Sequence, residues 1–317
     1  MSLIEQAAQR LEQLRRAGVD IPEDAPPVQP QTVAVDIETA PLATPKEAAK
    51  ALSATDKTVA NEQPESAALS KFVNVDLERL SAAGIIASNT TRSQLADEFR
   101  LIKRPLIANA LGKGAAPVKN GNLIMVTSAL PGEGKSFTAL NLAINIAMEM
   151  DTTVMLVDAD VARPSLLNML ALPPAPGLLD VLLEGSLDLL PVLLRTNIEK
   201  LTLLPSGTPH LRATELLASD AMARLLEDMA CRYPDRIIIF DSPPMLLTTE
   251  ARALASHMGQ IVVVVHAEKT LQSQVRQALA AIESCPVKLM LLNKARASSS
   301  EGYGYGYGYG YGYGHER

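Results

Sequence analysis

The sequence contains no tryptophan, and aromatic residues make up only 3% of its 317 residues. Hydrophobic residues nevertheless amount to 47%, so we expect a core built from aliphatic and methionine side chains. The two cysteines, Cys231 and Cys285, are too far apart in sequence for a CxxC pair or a metal-ligand spacing. Their isolation argues against a disulfide framework and against an iron–sulfur carrier, and it favours a reducing compartment.

Other features that the sequence lacks limit the compartments and the partners that we expect for this protein. The net charge is −6 and the isoelectric point is near 5.4, so no overall basic field attracts nucleic acid or anionic lipid. The longest apolar runs, such as residues 260–266, have the length of a strand, far short of the ~20 residues that span a membrane. The first residues lack the apolar core of a signal peptide. We therefore expect a cytoplasmic protein with no nucleic-acid partner.

Tyrosine is concentrated at one end of the chain. Six of the seven tyrosines alternate with glycine there, namely Tyr303, Tyr305, Tyr307, Tyr309, Tyr311 and Tyr313. Glycine loses much chain entropy on folding, and the segment has no apolar face to bury. We therefore predict that residues 298–317 form a flexible tail with hydroxyls in water. Such a row fits a set of phosphate acceptors, and a sticky flexible terminus is the alternative.

Composition divides the rest of the chain into three parts. Residues 1–18 fit a short amphipathic helix, with Leu and Ile on one side and Glu, Gln and Arg on the other. Residues 19–72 are rich in Pro, Ala, Thr, Glu and Gln, which predicts a disordered linker. Residues 73–297 regain apolar patterning and form the predicted folded domain, in which residues 90–110 include a helical segment.

Strand-like and helix-like segments alternate within this domain. Near-continuous Val, Ile and Leu runs predict strands at 123–128, 153–158, 201–205, 236–241, 260–266 and 288–293. Helical patterns cover 93–109, the stretch from the loop after 128 to about 150, 178–184, 214–230, 249–257 and 270–284. Such strands separated by helices predict a mostly parallel sheet with helices on both faces. Right-handed crossovers make this a doubly wound α/β fold, and the motif after the first of these strands makes it a P-loop NTPase.

That motif runs from Ala129 to Ser136 and reads ALPGEGKS, which matches the P-loop pattern GxxxxGK[ST] at all but its first position. Its glycines let backbone N–H groups face phosphate oxygens, and the following helix adds its positive end. Lys135 then reaches the β- and γ-phosphates, and the hydroxyl of Ser136 ligates Mg²⁺. The predicted nucleotide contacts here are Pro131, Gly132, Glu133, Gly134, Lys135, Ser136 and Phe137.

Carboxylates follow two further strands at the edge where α/β proteins bind ligands. Asp158 and Asp160 come at the end of one strand, and Asp241 ends another, before Ser-Pro-Pro. Four apolar residues and then Asp241 form a Walker B arrangement, which places a carboxylate near Mg²⁺. One aspartate of the pair can hold Mg²⁺ or its waters while the other orients or deprotonates an attacking hydroxyl. Capping of the following turn is the structural alternative for this pair.

With these residues the chain resembles the bacterial tyrosine kinases of polysaccharide synthesis (BY-kinases). The resemblance covers about residues 90–317 and rests on the P-loop, the Asp-x-Asp strand end, the Asp-x-Pro-Pro strand end and the tyrosine cluster. Segments such as DEFRLIKRPL and RYPDRIIIFDSPP are most similar to the autokinase subgroup associated with exosortase and exopolysaccharide loci. The resemblance implies an ATP-dependent autokinase that phosphorylates its own tyrosine cluster between subunits and regulates exopolysaccharide synthesis or export.

The resemblance also implies roles for single residues. Lys135 contacts the phosphates, and Mg²⁺ is served directly or through water by Ser136, Asp160 and Asp241. Asp158 orients or deprotonates the incoming tyrosine, and Asn293 contacts adenine.

An E-x-x-R-x-x-R motif engages a neighbouring subunit in the ring-shaped oligomers of this family. The aligned residues are Asp97, Arg100 and Lys103, with Arg104 as a substitute for the last arginine. Lysine lacks the planar fork for a bidentate contact, so the motif is only partly matched, and spacing alone favours a solvated polar side of the helix. The resemblance further implies an opposing phosphatase and a separate membrane-anchored activator of polysaccharide chain-length type, through which the protein would lie at the inner membrane.

Two other functions stay open. One is a P-loop ATPase switch of the partition and septum-site class, which carries a lysine five residues before the P-loop lysine, where this chain has Leu130. The other is a scaffold whose tail is a binding peptide, which would have no need of Lys135 and the three aspartates.

Overall fold

The computed structural model describes residues 70–86, 93–185, 187–233 and 235–295. The predicted N-terminal helix at 1–18 and the predicted tail at 298–317 lie outside these residues, as does the predicted linker up to residue 69. Strand β1 begins at Lys71, so regular structure starts just before residue 73, where we expected the domain to begin.

In the part of the chain that the structure describes, eight strands form one sheet in the order β1-β4-β5-β3-β6-β2-β7-β8. Their bounds are β1 (Lys71–Val73), β2 (Leu123–Ser128), β3 (Thr153–Asp158), β4 (Leu194–Thr196), β5 (Leu201–Leu204), β6 (Arg236–Asp241), β7 (Gln260–His266) and β8 (Val287–Asn293). Every neighbouring pair is parallel except β4 with β5. The predicted mostly parallel α/β sheet is confirmed.

Helices cover both faces of this sheet. Their bounds are α1 (Leu77–Ala82), α2 (Gln94–Ala110), α3 (Lys135–Ala147), α4 (Leu166–Met169), α5 (Leu178–Glu184), α6 (Ala213–Leu217), α7 (Asp220–Arg232), α8 (Thr249–Ala255) and α9 (Gln272–Ala281). Buried residues of α1 to α4 belong to the core on one face, and those of α5 to α9 belong to the core on the other. None of the helices in the described part of the chain has the length and apolar character needed to cross a membrane.

The central strands are apolar throughout because both of their faces are buried. In β2, Leu123 and Met125 pack into one core while Ile124 and Val126 pack into the other. Strands of this kind leave polar side chains only at their ends, which is where the candidate site lies.

Two predicted helices show how local capping sets the boundaries. Ser93 caps α2 by accepting a hydrogen bond from the N–H of Ala96 at 3.1 Å, and the helix continues through Pro105 to Ala110. The single helix that we predicted at 214–230 is instead two helices, α6 and α7. Ser219 interrupts it because the Ser219 hydroxyl accepts from the N–H of Met222 at 3.3 Å and begins α7.

Candidate nucleotide-binding and active site

The P-loop, residues 129–136, has the backbone shape that its glycines allow. Gly132 and Gly134 have left-handed φ values of 80° and 102°, which glycine adopts without steric cost. Gly134 is the N-cap residue of α3 and makes no side-chain cap hydrogen bond, so the first N–H groups of α3 are available to an anion. A Cβ atom at Gly134 would also collide with the side-chain amide of Asn293. The loop is thus a backbone cradle that only glycine permits at this position.

Lys135 and Asp160 are brought together at the mouth of this cradle. Lys135 Nζ donates to Asp160 Oδ2 at 2.6 Å and to Ser136 Oγ at 3.5 Å. Both members of the ion pair are largely buried. The second oxygen of Asp160 accepts from the N–H of Arg163 at 3.2 Å. Three predicted site residues therefore lie in direct contact.

Asp158 lies at the end of β3 and is 1% exposed. Its Oδ2 accepts from the N–H groups of Ser165 and Leu166, each at 3.1 Å, so the predicted turn capping does occur. Its Oδ1 is buried and has no hydrogen-bond partner among the described residues. Burial, and then the charge of Asp241, raise the pKa of Asp158 to about 7. One oxygen thus fixes the side chain, and the other is free to accept a proton near neutral pH.

Asp241 lies directly opposite Asp158 in the register of β6 with β3. It is fully buried, and neither of its oxygens has a hydrogen-bond partner within the described ranges. Burial raises the pKa of Asp241 to about 6, although Lys135 and Ser136 act in the opposite direction. The Ser136 hydroxyl is thus close enough to lower that pKa without meeting hydrogen-bond geometry. Buried carboxylate oxygens without partners are costly and favour a cation between them.

These residues fit Mg²⁺ held together with a nucleotide better than a metal held by protein alone. In the described part of the chain, no group of three or more His, Cys, Asp or Glu side chains is placed to hold a metal ion. Mg²⁺ is usually bound by one or two carboxylates, by waters and by substrate phosphates. Asp241, with both oxygens free, and the neighbouring Ser136 supply this kind of partial donor set.

A cavity of about 560 Å³ lies over the P-loop, within the usual size range of ligand sites. Asp160 lines this cavity. Most of the predicted nucleotide contacts line it as well, namely Pro131, Gly132, Gly134, Lys135, Ser136 and Phe137. Phe137 also borders a second cavity of about 410 Å³, between α2 and β8, which Asn293 lines.

Glu133 in the P-loop is in contact with Asn293 at the end of β8. The buried carboxylate of Glu133 accepts from the N–H of Leu130 at 2.8 Å and from the hydroxyl of Thr270. Asn293 Nδ2 donates to the backbone carbonyl of Glu133 at 2.8 Å, and its Oδ1 accepts from the N–H of Lys294. Both ends of the Asn293 amide are therefore used within the chain, and its adenine contact stays a prediction.

Lys103 corrects the expectation that the polar residues of α2 share a solvated side. It is 4% exposed, and its Nζ donates to the carbonyl of Asn145 at 2.6 Å and pairs with Glu149 at 2.8 Å. Burial lowers the pKa of Lys103, and Glu149 opposes that shift. Lys103 turns inward because its ammonium is attracted to the C-terminal end of α3, where the last carbonyls lack intrahelical partners and carry partial negative charge.

The spacing of the apolar residues in α2 already indicates that Lys103 faces the core. Lys103 lies four residues after Phe99 and three before Leu106, which places it on the apolar stripe. Asp97 and Arg100 do lie on the exposed side, where they pair with each other at 2.6 Å.

Sequence comparison places these features in a family. The family model described as ParA, NUBPL iron-transfer P-loop NTPase, matches residues 119–292. Tyrosine-protein kinase YwqD of Bacillus subtilis (strain 168) is 32% identical over 206 residues, a match that covers 65% of this chain and 83% of YwqD. This chain belongs to the bacterial tyrosine-kinase family. It is thus a protein-tyrosine kinase of the bacterial type within the P-loop NTPases.

One longer relative and one solved structure agree with this placement. The succinoglycan biosynthesis transport protein ExoP of Rhizobium meliloti (strain 1021) is 34% identical over 199 residues, but the match covers only 24% of ExoP. The chain thus spans about a quarter of that longer relative. The crystal structure of the chimerical protein CapA2B2 superposes with a TM-score of 0.54 at 27% identity and covers 70% of this chain and 93% of that one.

The description of the family model mentions iron transfer, but the cysteines of this chain do not form a cluster-binding pair. Cys231 is exposed on α7, whereas Cys285 is buried, and they are the only two cysteines in the sequence. A cluster carrier needs closely spaced thiolates. The kinase relatives therefore describe this chain better than the name of the family model.

Proposed function

We propose that this kinase transfers the γ-phosphate of ATP to its own tyrosine cluster, Tyr303 to Tyr313, and thereby regulates exopolysaccharide synthesis or export. The observation that carries the proposal is the free Oδ1 of Asp158. It belongs to a buried carboxylate with a pKa of about 7, at the same sheet edge as the P-loop. A phenol has a pKa near 10 and needs a base as it attacks.

The nucleotide would lie along the backbone cradle. The N–H groups around Gly132 and Gly134 and the start of α3 offer donors to the phosphates. Lys135, whose ammonium is paired with Asp160, would contact the β- and γ-phosphates. Mg²⁺ would be held by Ser136, Asp160 and Asp241, and when bound it neutralises charge that develops on the phosphate oxygens.

Transfer itself requires one bond to form and one to break. The tyrosine oxygen bonds to the γ-phosphorus while the bond from that phosphorus to the ADP oxygen breaks. The phenolic proton passes to Asp158 Oδ1. Because backbone N–H groups of Ser165 and Leu166 hold Oδ2, the accepting oxygen keeps a fixed direction. Asp158 therefore acts as the base of the reaction.

The acceptor tyrosines follow the last strand closely in sequence. They lie 8 to 18 residues past Ala295, which gives a maximum reach of roughly 30 to 60 Å. This reach permits transfer to a neighbouring subunit, and we propose that route. The contacts of the proposed ring are Asp97, Arg100 and Arg104 of α2, because Lys103 is already engaged within its own subunit.

Control of the kinase would come from other proteins. We propose a membrane-anchored activator of polysaccharide chain-length type, which would hold the kinase on the cytoplasmic side of the inner membrane, and a phosphatase that reverses the modification. The relation to ExoP, whose name describes succinoglycan biosynthesis transport, supports the link to exopolysaccharide.

A P-loop ATPase switch that phosphorylates no protein is the second candidate. The match to the ParA family model favours it. The lysine of the partition and septum-site class would stand where Leu130 is found, and Leu130 packs partly buried against the core. The tyrosine cluster also has no role in such a switch.

Mixing two complementary variants tests the proposal. One variant carries Phe at all six tail tyrosines and keeps its active site, and the other is Lys135→Met and keeps its tail. With labelled ATP, Mg²⁺ and the activator, we expect neither variant alone to be labelled and the mixture to label the Lys135→Met tail. Label that appears in wild-type protein but never in the mixture would contradict transfer between subunits. ATP hydrolysis without label on any wild-type tyrosine would support the ATPase switch instead.

A further inference from the structure

The P-loop is held by Thr270, which follows β7, and by Asn293 and Lys294 at the end of β8. Thr270 bonds to the Glu133 carboxylate, and Asn293 Nδ2 donates to the Glu133 carbonyl at 2.8 Å. Lys294 Nζ donates to the carbonyl of Gly132 at 2.8 Å. Neither Asn293 nor Lys294 lines the cavity over the loop. These side chains therefore contact the loop outside the cavity that lies over it.

Two consecutive peptide groups are oriented by these contacts. In a planar trans peptide the carbonyl and the following N–H point in opposite directions. Because the carbonyl of Gly132 points to Lys294, the N–H of Glu133 points away from Lys294. In the same way the Asn293 contact turns the N–H of Gly134 away from β8. Both N–H groups are therefore directed away from the end of β8.

Lys294 has an uncommon backbone conformation. Its φ is 59°, in the left-handed region that costs roughly 1–2 kcal/mol for a residue with a side chain. Its own N–H donates to Asn293 Oδ1 at 2.9 Å, and its ammonium reaches the P-loop. Strained residues persist where the surrounding contacts over-determine them, often at functional sites.

We propose that Lys294 is a positioning residue of the ATP site. Its ammonium holds the Gly132 carbonyl outward and so keeps the following N–H directed at the nucleotide. Gly132 cannot secure this orientation alone, because a glycine with left-handed φ has many alternative conformations. The inference rests on the ATP-binding part of the proposed function and does not depend on the identity of the phosphate acceptor.

The test replaces Lys294 in the full-length protein with Met, which keeps the length of the side chain without its donor. Calorimetry measures the Kd for ATP with Mg²⁺, and transfer assays measure KM and kcat separately. We expect Kd and KM for ATP to rise about three- to tenfold, the range for one lost hydrogen bond, while kcat changes less than about twofold. Lys294→Arg should restore most of the affinity, because the guanidinium also donates to a carbonyl.

Lys269→Met is the matched control. Lys269 is also exposed, lies in the β7–α9 connection, and its side chain has no hydrogen bond or ion pair to the described residues. We expect its Kd for ATP to equal that of the wild type. A similar loss of affinity in both variants would show a general charge effect and would overturn the inference.

Lys294→Gly separates positioning from folding. Glycine removes the left-handed strain, so we expect an unchanged or higher Tm together with the same loss of ATP affinity. The inference is wrong if Lys294→Met and Lys294→Gly bind ATP within about twofold of the wild type, or if the wild type binds no ATP. A wild type that binds ATP but labels no tyrosine contradicts the proposed function alone, because the Kd values still test Lys294.

Discussion

Asp158 and Asp241 lie side by side as register partners at the carboxyl ends of β3 and β6. Three of their four carboxylate oxygens are buried without a hydrogen-bond partner among the described residues. Burial, and then the charge of Asp241, raise the pKa of Asp158. The site therefore stores unfavourable electrostatic energy, which a proton or a cation relieves.

Asp241→Asn should stabilise the protein in the absence of nucleotide. The amide has the same shape but removes a fully buried negative charge, so we expect a gain of about 1–2 kcal/mol in the free energy of unfolding. The same change should abolish Mg²⁺-dependent transfer. Urea denaturation and the labelling assay check both effects. Asp151→Asn, at an exposed aspartate, is the control and should change neither. An Asp241→Asn protein that is less stable and still active would contradict this role.

Stability without nucleotide should fall as pH rises from about 5 to 8. The folded pKa values of about 7 for Asp158 and about 6 for Asp241 exceed the unfolded value of about 3.9. The folded state therefore binds more protons than the unfolded state in this window, and stability falls by about 1.4 kcal/mol per pH unit for each extra proton that the folded state binds. Urea denaturation at three pH values measures the slope. The double variant Asp158→Asn/Asp241→Asn should have a flatter profile, and an equal slope would refute the assignment.

Lys103→Met should destabilise the subunit. It removes the donor to the Asn145 carbonyl and leaves Glu149 without its partner, so we expect a loss of about 2–3 kcal/mol. Arg104→Met, one residue later on the exposed side, should leave the free energy of unfolding within about 0.5 kcal/mol and weaken the proposed ring. Thermal denaturation measures the stability of both variants, and light scattering measures their assembly. A Lys103→Met protein of normal stability that no longer assembles would identify Lys103 as a subunit contact instead.

Phosphorylation of the tail should disperse the proposed oligomer. Each phosphotyrosine adds about −1.5 to −2 charges, so six would add roughly −9 to −12 to a chain of net charge −6. Subunits that present such tails to each other repel. Light scattering of phosphorylated and phosphatase-treated protein measures the mass, and an identical mass in both states would exclude this switch.

The sequence predicted the parts of the site that depend on local pattern. The glycines of the P-loop and the aspartates at the strand ends are found at the predicted edge, because buried parallel strands align their carboxyl ends. The sequence did not predict contacts between distant segments. The bond from Lys294 to Gly132 depends on how β8 lies beside the loop, and the burial of Lys103 depends on where α3 ends.

The shortest elements were also missed. Strands β1 and β4 have three residues each, too few for a periodic signal. The boundary between α6 and α7 depends on one serine cap. In each case a single tertiary or capping contact outweighs the apolar pattern.

Mass spectrometry of the wild-type protein after incubation with ATP, Mg²⁺ and its activator decides whether the kinase modifies its own tyrosine cluster. We expect phosphate on Tyr303 to Tyr313 in wild-type protein and none in Lys135→Met. ATP turnover with an unmodified tail would contradict it.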